Sequence, residues 1–317
     1  MTNPKHAQDT DNGRYYTDPA GGPDLVSVTN VLGTSVHKHG LMPWAVKVTV
    51  EWILDHRIEV ARRAITDRAA LIKELKQIHI DVRDTASDLG TLIHKVAEQR
   101  LLGSPFAVDA TAAPYLAQLE AFLGFWGVDI DKHVEATEIT CLHRRLGYAG
   151  TADLMVWLPT GPGRARELWL IDFKTSATRS AKDVYPENTQ QLAALRYCET
   201  VLLPDDTEQP MPKIQRTGVL NLRAKSHALV EMPAGRDAHK AFRGALVNAL
   251  WHHAAPSSYP ALLAPTSLSR PGGATSERWP DPWAPESVPR RSRPANWAVC
   301  APATASPATT RRSGPGR

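Results

Sequence analysis

Two neighbouring apolar segments of this chain each carry a carboxylate where a core residue would be expected. They lie in the stretch GTADLMVWLPTGPGRARELWLIDFKTS, residues 150–176. Asp153 stands beside Leu-Met-Val in the first segment. Asp172 follows Trp-Leu-Ile in the second, and Lys174 comes two positions later. An ionised group among such side chains is costly unless it is paired or coordinated, so the sequence predicts that the chain brings these charges together.

Strand geometry indicates how they meet. Side chains alternate along a strand, which puts Asp172 and Lys174 on one face and Phe173 on the other. The Gly-Pro-Gly turn between the two segments predicts a hairpin, which can place Asp153 on the adjacent strand. For Asp-Phe-Lys alone, a buried Asp–Lys ion pair with a surface Asp153 is the simpler interpretation.

The chemistry of the combined set is more specific. Two carboxylates with a backbone carbonyl form an oxygen-only site, which suits Mg²⁺ or Mn²⁺ and not zinc. Lys174 cannot be a ligand while charged, but it can orient a water, help to deprotonate it, or stabilise charge on a phosphate. Together these groups indicate metal-assisted hydrolysis of a phosphodiester.

Charge divides the chain into two unlike parts. The net charge is +4 over 317 residues, but residues 255–317 hold eight arginines and three acids, which leaves about −1 for residues 1–254. Any contact of residues 1–254 with nucleic acid must therefore come from a local group of basic side chains lining the binding surface. The Pro- and Arg-rich segment 255–317 has no periodicity and is predicted to be disordered, as is the polar segment 1–24.

The expected compartment is the cytoplasm, without a membrane partner. No stretch approaches the roughly 18 apolar residues of a membrane helix, and the polar start has no apolar signal region. The three cysteines, Cys141, Cys198 and Cys300, are far apart and lack metal-ligand spacing.

Periodicity predicts helices first and then a sheet. Residues 25–130 are predicted to be mainly helical, with helices over Trp44–Ile80, from Thr85–Asp88 to Gly103, and over Ala113–Gly127. Residues 131–254 alternate as strands, with one helix over residues 187–203 and a closing helix over residues 237–253. A mixed sheet flanked by helices fits an α/β or α+β domain.

The order of these motifs over residues 25–253 resembles the RecB-like exonuclease branch of the PD-(D/E)XK nuclease superfamily. The resemblance implies a restriction-endonuclease-like α/β fold and a nuclease domain over residues 25–254. It implies metal binding by Asp153, Asp172 and the Phe173 carbonyl, with Lys174 as the catalytic lysine. GTLIHKVAE is similar to a Gly-x-x-x-His helix, in which His94 helps to bind metal or orient substrate. Glu138 matches a frequent third acid, or is a strand-end ion pair.

QQLAALRY resembles the Gln-x-x-x-Tyr helix of that branch and implies a site role for Gln191, or for Gln190 if the register differs by one. The position four after Gln191 is Leu195 rather than Tyr, and Tyr197 lies about 200° round a helix from Gln191. The cysteine spacing predicts no iron–sulfur cluster. Five arginines lie at turns or strand ends and either line a DNA groove or are ordinary exposed residues; they are Arg144, Arg145, Arg164, Arg166 and Arg179. Thr175 and Ser176 are candidates for phosphate contacts, or else cap the loop.

The resemblance thus predicts a Mg²⁺-dependent DNA exonuclease acting on linear ends or single strands, in phage recombination, replication or end-processing in a bacterial cytoplasm. A recombinase or a single-strand-binding protein is a further expected partner. A structure-specific endonuclease and an inactive DNA-end-binding or recombination-accessory protein of the same fold are the alternatives.

Overall fold

The computed structural model describes residues 4–104, 107, 109–161, 163, 165–256 and 258–259. Within them the chain forms a mixed sheet of ten strands flanked by eight α-helices, which confirms the α/β class. None of the helices in these residues combines the length and hydropathy needed to cross a bilayer. The segment 255–317 lies outside the described residues apart from positions 255, 256, 258 and 259.

The N-terminal segment is more ordered than predicted. Strands β1 (Ala7–Thr10) and β2 (Gly13–Tyr16) form an antiparallel hairpin, and β3 (Leu25–Ser27) pairs with β2. The prediction of disorder over residues 1–24 is therefore wrong for residues 7–10 and 13–16. The overlooked signal is the Asp-Asn-Gly turn, in which Gly13 adopts φ +90°.

The helix predicted over Trp44–Ile80 begins earlier and is divided among three helices, whereas the helix predicted from Ala113 does begin there. The helices in this part of the chain are α1 (Val28–Ser35), α2 (Leu41–Asp55), α3 (Arg57–Thr66), α4 (Arg68–Leu101), α5 (Ala113–Phe125) and α6 (Ile130–His133). The predicted cap near Thr85 is wrong because Thr85 Oγ1 donates to the Asp81 carbonyl at 2.9 Å. A hydroxyl that bonds back by four residues lies within a helix rather than at its start.

The predicted strands are confirmed. They are β4 (Val134–His143), β5 (Tyr148–Pro159), β6 (Arg166–Thr175), β9 (Arg216–Leu222) and β10 (His227–Glu231), with α7 (Pro186–Arg196), β7 (Thr200–Leu202) and β8 (Glu208–Pro210) between β6 and β9, and with α8 (Arg236–Ala254) after β10. The helix predicted to reach residue 203 ends at Arg196, because the β-branched Thr200 and Val201 pair with β4 instead.

The sheet forks at the middle of β5. One edge of β5 pairs with β4 along most of its length. On the other edge, β3 pairs in parallel with Tyr148 and Ala149, whereas β6 pairs only with Leu154–Pro159. Beyond Ile171, β6 continues beside β9. The strands thus separate next to residues 150–153, and a cleft opens between them.

Two apolar layers hold this fork from opposite faces. Helices α1, α7 and α8 cover one face through residues such as Val31, Leu192 and Phe242. Helices α4 and α5 cover the other through residues such as Ile93 and Phe122. Because both layers pack against β5 and β6, the position of the fork is fixed by the core.

A partly buried histidine, His239, beside the first layer predicts an acid-sensitive part of the stability. Tyr148 OH donates to the Ala194 carbonyl at 3.0 Å, so His239 Nε2, 3.1 Å away, donates to Tyr148. Burial, followed by the charges of His143 and Arg243, lowers the pKa of His239 to about 4 from an ordinary 6.5.

The folded state therefore prefers neutral His239, and its contribution is complete above about pH 6.5 and is lost as the pH falls towards about 4. We expect His239→Gln, which keeps an N–H donor, to flatten this part of the curve of unfolding free energy against pH. Urea unfolding at several pH values measures it, with the exposed His252→Gln as control. Equal slopes for His239→Gln and wild type would contradict the assignment.

Candidate functional site at the fork in the sheet

A cleft of about 290 Å³ occupies the fork. Its walls come from β2, the start of α1, α4, β4, β5, β6 and α7. The structure brings together in this cleft all seven residues that the sequence singled out, namely His94, Glu138, Asp153, Asp172, Phe173, Lys174 and Gln191. They reach it from five elements: hairpin pairing of β4, β5 and β6 brings the three acids together, and packing of α4 and α7 adds His94 and Gln191.

Asp153 links the two strands where they separate. Its Oδ2 accepts a hydrogen bond from the Phe173 N–H at 2.6 Å, just beyond the last paired residues, Leu154 and Ile171. The side chain is 11% exposed, so the alternative of a surface Asp153 is wrong. Burial, with the neighbouring Asp172 and Glu138, raises the pKa of Asp153 to about 7, against the opposing effects of His94 and Lys174.

His94 lies between the backbone of β6 and two acids. Its Nε2 is 3.1 Å from the Phe173 carbonyl, and because a carbonyl only accepts, Nε2 is the donor. Nδ1 then faces Asp153 Oδ2 at 3.7 Å and Glu138 Oε1 at 3.8 Å. Burial lowers the pKa of His94, but Asp153 and Glu138 outweigh it, and the pKa lies above its ordinary value. Nδ1 therefore either carries a proton or shares a cation with the two acids.

Glu138 is held in the cleft by an unfavourable backbone conformation. Its φ is +48° within β4, in the left-handed region that non-glycine residues rarely adopt. The neighbouring residues pair normally, Thr137 with Leu154 and Ile139 with Ala152. Such strain costs of the order of 1–3 kcal/mol and persists where the surrounding structure imposes it. The sheet thus tolerates strain at the one residue of β4 that directs an acid into the cleft.

Asp172 joins Gln191 and Lys174 in the cleft. It is 3% exposed, Gln191 Nε2 donates to its Oδ1 at 2.7 Å, and Lys174 Nζ lies 2.5 Å from its Oδ2. The predicted alternation is confirmed, because Phe173 packs in the opposite apolar layer. Burial lowers the pKa of Lys174, but Asp172 and Asp153 reverse this and raise it, so Lys174 remains an ammonium. Its side chain is 37% exposed and is reachable from the cleft.

The donor set fits a divalent cation. One ligand atom each from His94, Glu138 and Asp153 lies within 4.8 Å of the others. The buried Asp172 Oδ2 has no hydrogen bond of ordinary geometry and contacts only the Lys174 ammonium as a charge. Carboxylate oxygens with a backbone carbonyl suit Mg²⁺, and one imidazole is compatible with Mn²⁺.

Of the two adjacent glutamines on α7, Gln191 is the one that lines the cleft and contacts Asp172. The alternative Gln190 is wrong, because its buried Oε1 has no hydrogen-bond partner and it does not line the cleft. Leu195, one turn after Gln191, fills the cleft floor: a Cβ on Gly150 would meet Leu195 Cδ2 at 2.8 Å. Tyr197 stacks on His239 instead, with ring centroids 4.8 Å apart.

Most of the candidate arginines do not line the cleft. Arg144 pairs with Asp18 and Glu208, Arg145 pairs with Glu199, Arg166 donates to the carbonyls of Trp157 and Gly127, and Arg164 lies outside the described residues. Arg179 stacks over the Tyr185 ring at 4.7 Å in the loop after β6. Thr175 lines the cleft, and Ser176 Oγ accepts from the Thr178 and Arg179 amides as a turn cap.

Arg223, which no sequence pattern singles out, is a buried cation that holds this loop. Its guanidinium donates to the carbonyls of Lys174, Arg179 and Ser180 at 2.9–3.1 Å. It also donates to Leu222 O and Asn221 Oδ1. Burial lowers the pKa of Arg223. Five oxygens converge on one side chain, so Arg223 fixes the backbone that carries Lys174.

Comparison with known proteins adds little to this geometry. No protein-family model matches the chain, and no curated protein matches it. Fifteen chains of solved structures match. One of these, described as "Crystal structure of SSO0001", is 14% identical, with 73% of this chain and 77% of that chain covered and a TM-score of 0.31. A TM-score at that level carries no argument about this protein.

The contacts of Arg223 predict its effect on stability. Arg223→Lys keeps the charge but cannot reach five oxygens, and buried carbonyls left without donors are costly. We expect a loss of about 2–4 kcal/mol in the free energy of unfolding by urea. Arg216→Lys, an exposed residue paired with Glu167 and Glu231, should change it by less than about 1 kcal/mol. Similar losses in the two variants would refute the role of Arg223 in holding the loop after β6.

Proposed function

We propose that this protein is a Mg²⁺- or Mn²⁺-dependent DNA nuclease of the PD-(D/E)XK type, acting as an exonuclease. The observation that carries the proposal is the convergence of three acids, an imidazole and a lysine in one cleft at the fork of the sheet. Buried charges on this scale destabilise a core unless they serve a ligand or a reaction. The PD-(D/E)XK order of motifs favours DNA phosphodiesters as substrate.

The residues that would hold the ion are Asp153, Asp172, the Phe173 carbonyl, Glu138 and His94. When bound, the ion supplies Lewis-acid stabilisation of the phosphate and lowers the pKa of a water. Phe173 donates to Asp153 through its N–H and accepts from His94 through its carbonyl. The backbone of one residue thus orients both side chains, which limits how far either can move.

Lys174 has a role distinct from that of the ligands. As an ammonium beside Asp172 it donates hydrogen bonds and cannot take a proton from water. It is therefore assigned to orienting the attacking water and stabilising a phosphate oxygen as charge develops there. Gln191 holds Asp172 from the other side, so it fixes the carboxylate to which the ammonium is paired.

The setting proposed is phage DNA recombination, replication or end-processing in a bacterial cytoplasm, with a recombinase or single-strand-binding protein as partner. The absence of an iron–sulfur cluster stays a prediction. Cys141 and Cys198 lie in the apolar core beside β4 and α7, and Cys300 lies outside the described residues.

Cleavage should depend on the paired charges. With labelled linear DNA and Mg²⁺, we expect Lys174→Met and Asp172→Asn each to lower the initial rate by roughly 100-fold or more. EDTA should abolish cleavage by wild type. Lys132→Met and Asp131→Asn remove the same charges from the surface and should cleave as wild type does. Equal rates in all four variants would refute the mechanism.

The form of the DNA separates the alternatives. An exonuclease degrades linear DNA and leaves covalently closed circles intact, whereas cleavage of both at one rate indicates an endonuclease. Binding of linear ends with no product at any Mg²⁺ or Mn²⁺ concentration indicates an inactive DNA-end-binding protein.

Metal affinity tests the ligand set without DNA. Asp153→Asn keeps an acceptor for the Phe173 N–H but removes the charge. We expect Mn²⁺ affinity by calorimetry to fall at least as far as the roughly 10–100-fold loss typical of outer-shell changes. Asp131→Asn should bind Mn²⁺ as wild type does. If Asp153→Asn also does so, Asp153 is not a ligand.

A further inference from the structure

The N-terminal hairpin forms a wall of the cleft that carries a second positive group. Arg14 and Tyr16 lie on β2 at positions i and i+2, which share one face of a strand. Both line the cleft with the three acids and Lys174. The hairpin therefore contributes to the surface that a substrate would meet.

This wall is fixed to the body of the domain. Asn30 on α1 donates to the carbonyls of Asn12 at 2.7 Å and Arg14 at 3.3 Å. The contact is close, because a Cβ on Gly13 would lie 2.7 Å from the Asn30 side chain. On the other face, Tyr15 OH lies 2.8 Å from His253 Nδ1. The backbone of Arg14 is thus held by α1 and α8.

The strand register places Arg14 nearer to the level of the metal ligands than Tyr16. Strand β2 is antiparallel to β3, and β3 is parallel to β5, so β2 runs opposite to β5. Tyr16 OH lies 2.8 Å from Thr151 Oγ1, and Thr151 precedes Asp153 by two residues, about 6–7 Å along β5. Arg14 precedes Tyr16 by two residues on β2, so the step from Tyr16 to Arg14 has the same direction as the step from Thr151 to Asp153. Arg14 therefore lies on the wall along which an extended strand would pass the ligands.

The guanidinium is oriented by a partner that is itself on the surface. Arg14 Nε donates to Asp9 Oδ1 at 3.0 Å and Nη2 donates to Oδ2 at 3.2 Å. The Arg14 side chain is 15% exposed, whereas that of Asp9 is 72% exposed. An exposed ion pair adds little stability, but a two-point contact fixes the plane of the guanidinium. That plane matches a phosphate, which Arg binds through two parallel hydrogen bonds.

We propose that Arg14 binds a non-scissile phosphate of the DNA strand in the cleft, next along the backbone from the phosphate at Asp153, Asp172 and Lys174, and that Asp9 orients Arg14 for this contact. The inference rests on the proposed function, because it takes DNA to be the occupant of the cleft. It names the residue that sets the register of the strand relative to the metal ligands.

The test measures DNA binding with Ca²⁺ in place of Mg²⁺, and cleavage with Mg²⁺ in parallel, for the full chain. For a labelled single strand, we expect Arg14→Gln to weaken binding by about 10-fold, and the slope of log affinity against log salt to become shallower by about 0.7, the loss of one phosphate contact. Arg14→Lys, which keeps the charge but not the paired hydrogen bonds, should bind with intermediate affinity. Arg145→Gln removes the same charge outside the cleft and should match wild type in affinity and slope.

The outcomes separate this inference from the proposed function. If Arg14→Gln matches Arg145→Gln in affinity, slope and cleavage while wild type cleaves DNA, the inference fails and the nuclease assignment stands. If DNA binding depends on Arg14 but no variant yields product, the nuclease assignment fails and the phosphate contact stands. Absence of DNA binding by folded wild type overturns the inference outright. Urea midpoints for Arg14→Gln and Arg14→Lys exclude misfolding as the cause of any loss.

Discussion

The hydrogen bond from the Phe173 amide to the Asp153 carboxylate is the interaction on which the site depends. It forms at the point where β5 and β6 stop pairing as strands. A side chain there takes the place of a backbone acceptor, so the strands separate without leaving a buried amide unpaired. The Phe173 carbonyl, which belongs to the next peptide group, accepts a hydrogen bond from His94. The backbone of one residue thus lies where the strands diverge and also orients the side chains of Asp153 and His94.

The charges of the cleft are balanced in pairs. Asp172 is held between the Gln191 amide and the Lys174 ammonium, and Asp153 between a backbone amide and His94. Burial raises the pKa of Asp153 to about 7 despite the two cations. Burial and the neighbouring acids thus disfavour the charged form of Asp153. The strained φ of Glu138 belongs to the same pattern, because it adds a third acid where two already repel.

Much of the sheet and the centre of the site could be predicted from the sequence, because both depend on local signals. Alternation from Trp169 to Lys174 fixes which side chains share a face, and the Gly-Pro-Gly turn brings Asp153 to the next strand. The hairpin of residues 7–16 does not follow from the sequence because its strands are short and mostly polar, and it is held by contacts with Asn30 and His253. Arg223 was not identified because its five acceptors come from two segments that meet only in the folded chain. The long α4 was divided because Thr85 and Ser87 resemble helix caps, yet Thr85 bonds back to Asp81 in the interior of the helix.

The fork also leaves a short stretch of strand backbone unpaired. Among the described residues, positions 150–153 have no strand partner on one edge of β5. Unpaired edges of this kind are the usual templates for edge-to-edge aggregation. Here the bare edge is recessed behind α4, α7 and the hairpin, in a cavity of about 290 Å³. The unpaired backbone of β5 therefore faces a cleft bordered by helices and the hairpin, and not an open edge of the sheet.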